Sequence, residues 1–65
     1  MKTIGSQKRE SLFESGFRLI SRQRDGSVIL KDRETGTCEM WTPNDHYAGY
    51  VIEIDKVGYE FVRRV

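Results

Sequence analysis

Cys38 and His46 are the only soft metal ligands in the 65-residue chain, and they are also its only thiol and its only imidazole. Structural zinc takes a full tetrahedral set of ligands, so a metal site would have to be shared between copies. A Cys–His nucleophile pair needs hydrogen-bond contact and an oxyanion pocket. No glycine-rich or helix-start anion hole surrounds Cys38. Asp45 can polarise the neighbouring His46, but that dyad has no nucleophile to serve. Glu53, Asp55 and Glu60 could supply a carboxylate pair for acid–base chemistry, yet so small a sheet offers no cleft in which one would be desolvated. The six glycines stand singly, with no phosphate loop, dinucleotide fingerprint or EF-hand loop. The expectation is a chain that is not an enzyme and carries no cofactor or metal, with Cys38 an ordinary strand residue.

Composition narrows the frame. A chain this short supports one domain over residues 1–65, with a shallow interior: 37% of its residues are hydrophobic and 32% are charged. Eleven basic residues against ten acidic ones leave a formal charge of +1, without the basic excess usual in dedicated nucleic-acid modules. A lone cysteine forms no internal disulfide, which argues for a reducing, cytoplasmic setting. No uninterrupted apolar run exceeds a tripeptide such as Val28-Ile29-Leu30, far short of the roughly 20 residues of a membrane span. The segment Met1 to Gly5 leads into the charged stretch Gln7 to Glu10, so the apolar part of a signal peptide is missing.

Residues 6–15 read as a short helix, with Ser6 as N-cap, good helix formers from Gln7 to Ser15 and a left-handed stop at Gly16. Only Leu12 and Phe13 give it large apolar groups, so it must lie against the remaining chain. From there β-prone runs at 17–23, 28–32, 37–41, 50–54 and 59–64 alternate with turn signals. Asp25-Gly26 is the strongest hairpin signal and predicts a type I′ turn. Asp32 to Gly36 and Asp55 to Gly58 read as type I turns, with the glycine taking positive φ. The one irregular connection is Thr42 to Gly49. The expected fold is α+β: a short N-terminal helix followed by a five-stranded antiparallel meander, curled toward a small SH3-like half-barrel.

Alternation through these turns sends Phe17, Leu19, Val28, Leu30, Tyr50, Ile52, Ile54, Tyr59 and Phe61 to one face. A four-residue second loop adds Trp41 to that core, and a three-residue loop with a bulge adds Cys38 and Met40 instead; Trp41 inside is preferred. The opposite face carries Ile20, Ile29, Val51 and Val62 among Arg18, Arg22, Lys31, Glu53, Glu60 and Arg64. That is more branched aliphatics than a solvated face needs. The N-terminal helix is expected to pack there through Leu12 and Phe13, yet two or three turns are too short to cover five strands, so part of this face should remain bare as an interface.

Arg18, Arg22, Lys31 and Arg33 on the first hairpin, set against Glu39, Glu53 and Asp55 on later strands, predict a bipolar surface suited to a protein partner or a symmetric dimer. The candidate partner-binding residues are Arg18, Ile20, Arg22, Lys31, Val51 and Val62, together with His46 and Tyr47 of the irregular loop. The leading expectation is a small non-enzymatic protein-interaction module that binds a larger protein and no membrane. Its first Met and its last strand at the chain end suggest a complete small product, of the kind with which phages and prophages inhibit or adapt a host machine. The alternatives are a nucleic-acid-binding small β-barrel and a self-associating structural protein, a homodimer meeting through the second face.

Overall fold

Ser11 decides how the chain begins. Its hydroxyl accepts from the Glu14 amide at 3.1 Å while the Glu14 carboxylate accepts from the Ser11 amide at 3.4 Å. This reciprocal capping box starts a helix at Leu12. The helix expected over 6–15 is thereby cut to α1 (Leu12–Ser15), and Lys8–Ser11 forms a strand, β1. The computed structural model describes residues 7–65, so the expected N-cap Ser6 lies outside the described residues. Gly16 ends α1 at φ 83°, the left-handed stop read from the sequence.

Beyond Gly16 come β2 (Phe17–Arg22), β3 (Val28–Asp32), β4 (Cys38–Pro43), β5 (Tyr50–Ile54) and β6 (Val57–Arg64). The protein is mostly β, with six strands in one sheet and a single four-residue helix among the described residues, where an α+β fold with five strands was expected. No described helix is long and apolar enough to cross a membrane.

The hairpin turns are built on acidic residues, though not always by the expected geometry. Gly26 donates to the Gln23 carbonyl at 3.1 Å, and the Asp25 carboxylate accepts from both the amide and the hydroxyl of Ser27. Only Gly26 has positive φ there (98°). The β2–β3 turn is thus a type I turn closed by a left-handed glycine, not the expected I′ turn. The Asp32 carboxylate accepts from the Glu34 and Thr35 amides, and the Asp32 amide donates to the Thr37 carbonyl. That is the four-residue loop, and it sets Val28 opposite Trp41 with Trp41 inside, as preferred. The I′ conformation appears at Asp55 (φ 52°) and Lys56 (φ 70°), between the paired Ile54 and Val57. Gly58, expected in that turn, is a buried residue of β6.

The strand order is β1-β5-β6-β4-β3-β2, and β1 pairs parallel with β5. A meander would place β5 beside β4; instead β6 inserts between them, antiparallel to both. The segment 44–49 must therefore cross over β6. It is stitched to that strand: the Asn44 amide donates to the Gly58 carbonyl at 2.7 Å, and the Asp45 carboxylate accepts from the Gly58 amide at 2.6 Å.

The two sheet edges, β1 and β2, are joined through α1 and Gly16, and Arg22 of β2 reaches Asp55 of the β5–β6 turn at 2.8 Å. The sheet is thus a curled half-barrel. Its core is Val28, Leu30, Trp41, Ile52, Ile54 and Tyr59, ringed by Leu12, Phe17, Leu19, Tyr50 and Val57. Trp41 stands at the centre, edge-on to Phe17 (5.8 Å), Tyr50 (6.1 Å) and Phe61 (5.8 Å). Each such pair contributes about 0.5–1.5 kcal/mol beyond its area. The indole N–H donates to Glu39 at 3.0 Å. Phe61, expected inside, sits at the rim and is 49% exposed.

Candidate interaction surface

Two β-bulges organise the convex face. The β2–β3 register passes from Leu19↔Leu30 to Ser21↔Ile29, leaving Ile20 unpartnered. The β4–β6 register passes from Trp41↔Phe61 to Met40↔Arg63, leaving Val62 unpartnered. A bulge adds one residue and re-aims the side chains beyond it. Arg22 consequently pairs opposite the fully buried Val28 and belongs to the core side, where it holds Asp55. It is not on the convex face, as strict alternation predicts.

The same register aligns a row across four strands: Ser21, Ile29, Met40 and Arg63, with Ile20 and Val62 at its two ends. Ile20 is 44% and Val62 45% exposed, while Ile29 and Met40 are half-buried. Strands about 4.8 Å apart make this stripe about 14 Å long. The next row toward the β3–β4 turn is Arg18, Lys31 and Cys38. Arg18, Lys31 and Arg33 line a shallow depression of about 290 Å³. Arg33 is held by its amide, which donates to the Gly16 carbonyl at 2.9 Å, and by its guanidinium, 5.4 Å from the centroid of the exposed Phe13 ring.

Over β5 and the start of β6 the same face is closed. Val51 is fully buried, so this expected interface residue is not available to a partner. Arg9 of β1 spans the region, bonding Glu53 at 3.1 Å and Asp45 at 3.2 Å and donating to the Lys56 carbonyl. The Asp45 carboxyl is held below the usual aspartate range by the Gly58 amide first and Arg9 second, against some desolvation. The Arg9 guanidinium is pushed up chiefly by Glu53. A Cβ on Gly58 would stand 2.8 Å from the Asp45 carboxylate, 3.2 Å from Arg9 and 3.3 Å from Val51. The crossover can lie this close only because β6 has a glycine there.

His46 and Tyr47 belong to this crossover, not to the stripe. The His46 amide donates to the Asn44 side chain. Tyr47 folds back over Gly49, and its carbonyl accepts from Gln7 at 2.9 Å. Cys38 opens β4 and His46 lies beyond its far end, so the two do not meet. No group of three or more His, Cys, Asp or Glu side chains able to hold a metal occurs among the described residues.

No protein-family model matches the chain, and no curated protein or solved structure does either. The surface is therefore read from its own chemistry. Nine of the ten carboxylates serve the fold. Glu14, Asp25 and Asp32 cap local backbone, Glu10 accepts from the Tyr50 hydroxyl, and Glu39 from Trp41. Glu60 accepts from Asn44, Asp45 and Glu53 bind Arg9, and Asp55 binds Arg22. Burial of Tyr50, with Glu10 beside its hydroxyl, raises that phenol well above its ordinary value. Among the described residues Arg18, Lys31 and Arg33 make no ion pair. The bipolar surface expected from the sequence is thus lopsided: its acids Glu39, Glu53 and Asp55 are consumed internally, Arg22 of the basic half is taken up by Asp55, and Arg18, Lys31 and Arg33 are left without an ion pair. Of the residues grouped from the sequence, the structure brings Arg18, Ile20, Lys31 and Val62 together. Sequence reasoning missed Met40, Arg63 and Phe13, because their positions depend on bulges and on where α1 starts.

Proposed function

We propose that this chain is a small non-enzymatic protein-interaction module that binds a larger protein through the stripe from Ile20 to Val62. The observation that carries the reading is the partly exposed aliphatic row from Ile20 to Val62 set beside unpaired cations. Apolar surface gathered in one place marks contact sites on small proteins, and free charges at its border add orientation and selectivity. The fitting partner presents an apolar segment flanked by acidic groups. A role as an inhibitor or adaptor of phage or prophage type, acting in the cytoplasm, suits a module of this size. The SH3-like description of the half-barrel belongs to the same proposal, with the parallel β1–β5 pair and the inserted β6 as departures from it.

The test is capture of a stoichiometric protein partner by the purified chain, repeated with Ile20→Asp plus Val62→Asp and with Lys8→Gln as a remote control. Loss of the partner with the first variant alone supports the reading. Retention by the double variant overturns it. Light scattering of the free protein addresses self-association: a dimer that Ile20→Asp plus Val62→Asp dissociates would mean that the stripe meets a second copy of the chain. The free cations favour one further reading, a nucleic-acid-binding barrel, which predicts capture of nucleic acid that weakens with salt.

A further inference from the structure

Arg18 and Lys31 stand directly opposite each other on β2 and β3, a like-charge pair that works against strand pairing. Arg33 completes the lining of the same depression of about 290 Å³. It is positioned before any ligand arrives, by its amide bond to Gly16 and by the Phe13 ring. All three lie beside the apolar stripe, and among the described residues none has a carboxylate partner.

A carboxylate is satisfied by one bidentate arginine, so three convergent cations exceed its need. A nucleic-acid backbone spaces single charges along a track, and this cluster does not extend into one. Arg22 is committed to Asp55, and Arg63 stands two strands from Lys31, at the far end of the apolar row. What matches is a compact dianion with several acceptor oxygens. A phosphate monoester carries a charge of about −1.5 to −2 at neutral pH.

We propose that the depression of Arg18, Lys31 and Arg33 takes the phosphate of a phosphorylated side chain on the protein partner, while the stripe takes that partner's neighbouring apolar residues. This inference rests on the protein-interaction reading and names the chemistry of the partner. Arg18 and Lys31 grip the phosphate from adjacent strands, and Arg33 closes the third side with its plane set by Phe13. Clustered arginines recognise phosphorylated motifs in this way generally.

The experiment is side-chain and amide NMR of the full chain, titrated with four probes: a peptide with one phosphoserine between leucines, the same peptide with serine, inorganic phosphate, and oligothymidylate. The phosphopeptide should shift the signals of Arg18, Lys31, Arg33 and the stripe, and should bind more tightly than inorganic phosphate. Its affinity should fall about tenfold or more in Arg18→Gln and in Lys31→Gln, both checked to melt no lower than the parent. Equal binding of the serine peptide, or no shift with either phosphate probe, overturns the proposal. Inorganic phosphate binding as well as the phosphopeptide reassigns the depression to a free anion, and tighter binding of oligothymidylate reassigns it to nucleic acid; either result overturns the partner assignment. If the stripe variants lose a captured partner while these titrations fail, the interaction surface stands and only the phosphate pocket falls.

Discussion

The convex face of this sheet is covered over one half and bare over the other. Over β5 and the start of β6 the chain lays its own crossover on the sheet, buries Val51 completely and neutralises Glu53 and Asp45 with Arg9. Over β2, β3 and β4 similar aliphatic residues stay open, and the neighbouring cations are unpaired. The amino-acid types are alike in both halves. The difference lies in whether a loop arrives, which depends on β6 inserting between β4 and β5. An aliphatic residue on an outer face therefore says little about binding until the path of the connecting loops is known.

Placing the same acidic residue in each half makes the sharpest contrast. Val51→Asp should cost about 3–5 kcal/mol, because it strands an unpaired charge in a fully buried site, and chemical denaturation should find the variant largely unfolded. Ile20→Asp should cost only about 1 kcal/mol, the loss of a half-covered β-branched side chain from a strand. Equal losses from both would mean that the stripe is structural.

Gly58→Ala tests the covering itself. Its Cβ would collide with Asp45 and crowd Arg9 and Val51, so a loss of about 1–3 kcal/mol is expected, with crossover amide signals shifting more than those of the β2–β3 hairpin. A third probe is acid. The folded pKa of Asp45 lies below its unfolded value, so its contribution is complete above the unfolded carboxylate pKa of about 3.9 and is lost as pH falls through the folded value. Asp45→Asn keeps an acceptor for the Gly58 amide and removes the titration. Its stability should therefore fall less steeply than that of the parent below about pH 5. Identical acid profiles would remove Asp45 from the account of the covered half.

The smallest expected effect lies on the bare side. Lys31→Gln relieves the like-charge opposition with Arg18 and should raise stability by a few tenths of a kcal/mol, up to about 1. Calorimetry showing a loss instead would mean that these cations already have partners in the free protein.

Much of the fold is local enough to be read along the chain. The loop from Asp32 to Gly36 is set by an aspartate that caps its own turn, and that loop alone turns Trp41 inward. Gly16 and the strands at 28–32 and 50–54 likewise depend on neighbouring residues. The Ser11-to-Glu14 capping box is written in the sequence too, but Ser6 competes with it as a cap by the same local rules. The glycine at the end of the Asp55 turn misleads in a similar way, since Asp55 and Lys56 themselves carry the positive φ and Gly58 serves a close approach.

The candidate surface was half legible. Ile20, Val62, Arg18 and Lys31 could be grouped because alternation holds over short stretches. Arg22 could not be placed, because a single bulge shifts every later residue to the other side. Val51 could not be placed, because its cover comes from residues on β1 and on the crossover, far away in the chain.

By itself the sequence determined five of the six strands, the places of the acidic turns, the inward tryptophan and a surplus of aliphatics beside arginine and lysine. Each of these depends on residues within a few positions of one another, through backbone dihedrals, capping and side-chain period. Only the tertiary structure decided that β1 joins β5 in parallel, that β6 separates β4 from β5, and that the crossover shields one half of the outer face while the other stays open. Backbone hydrogen bonds are chemically the same whichever strands they join. Strand neighbours are therefore chosen by how the whole set of side chains packs, and no single segment carries that information.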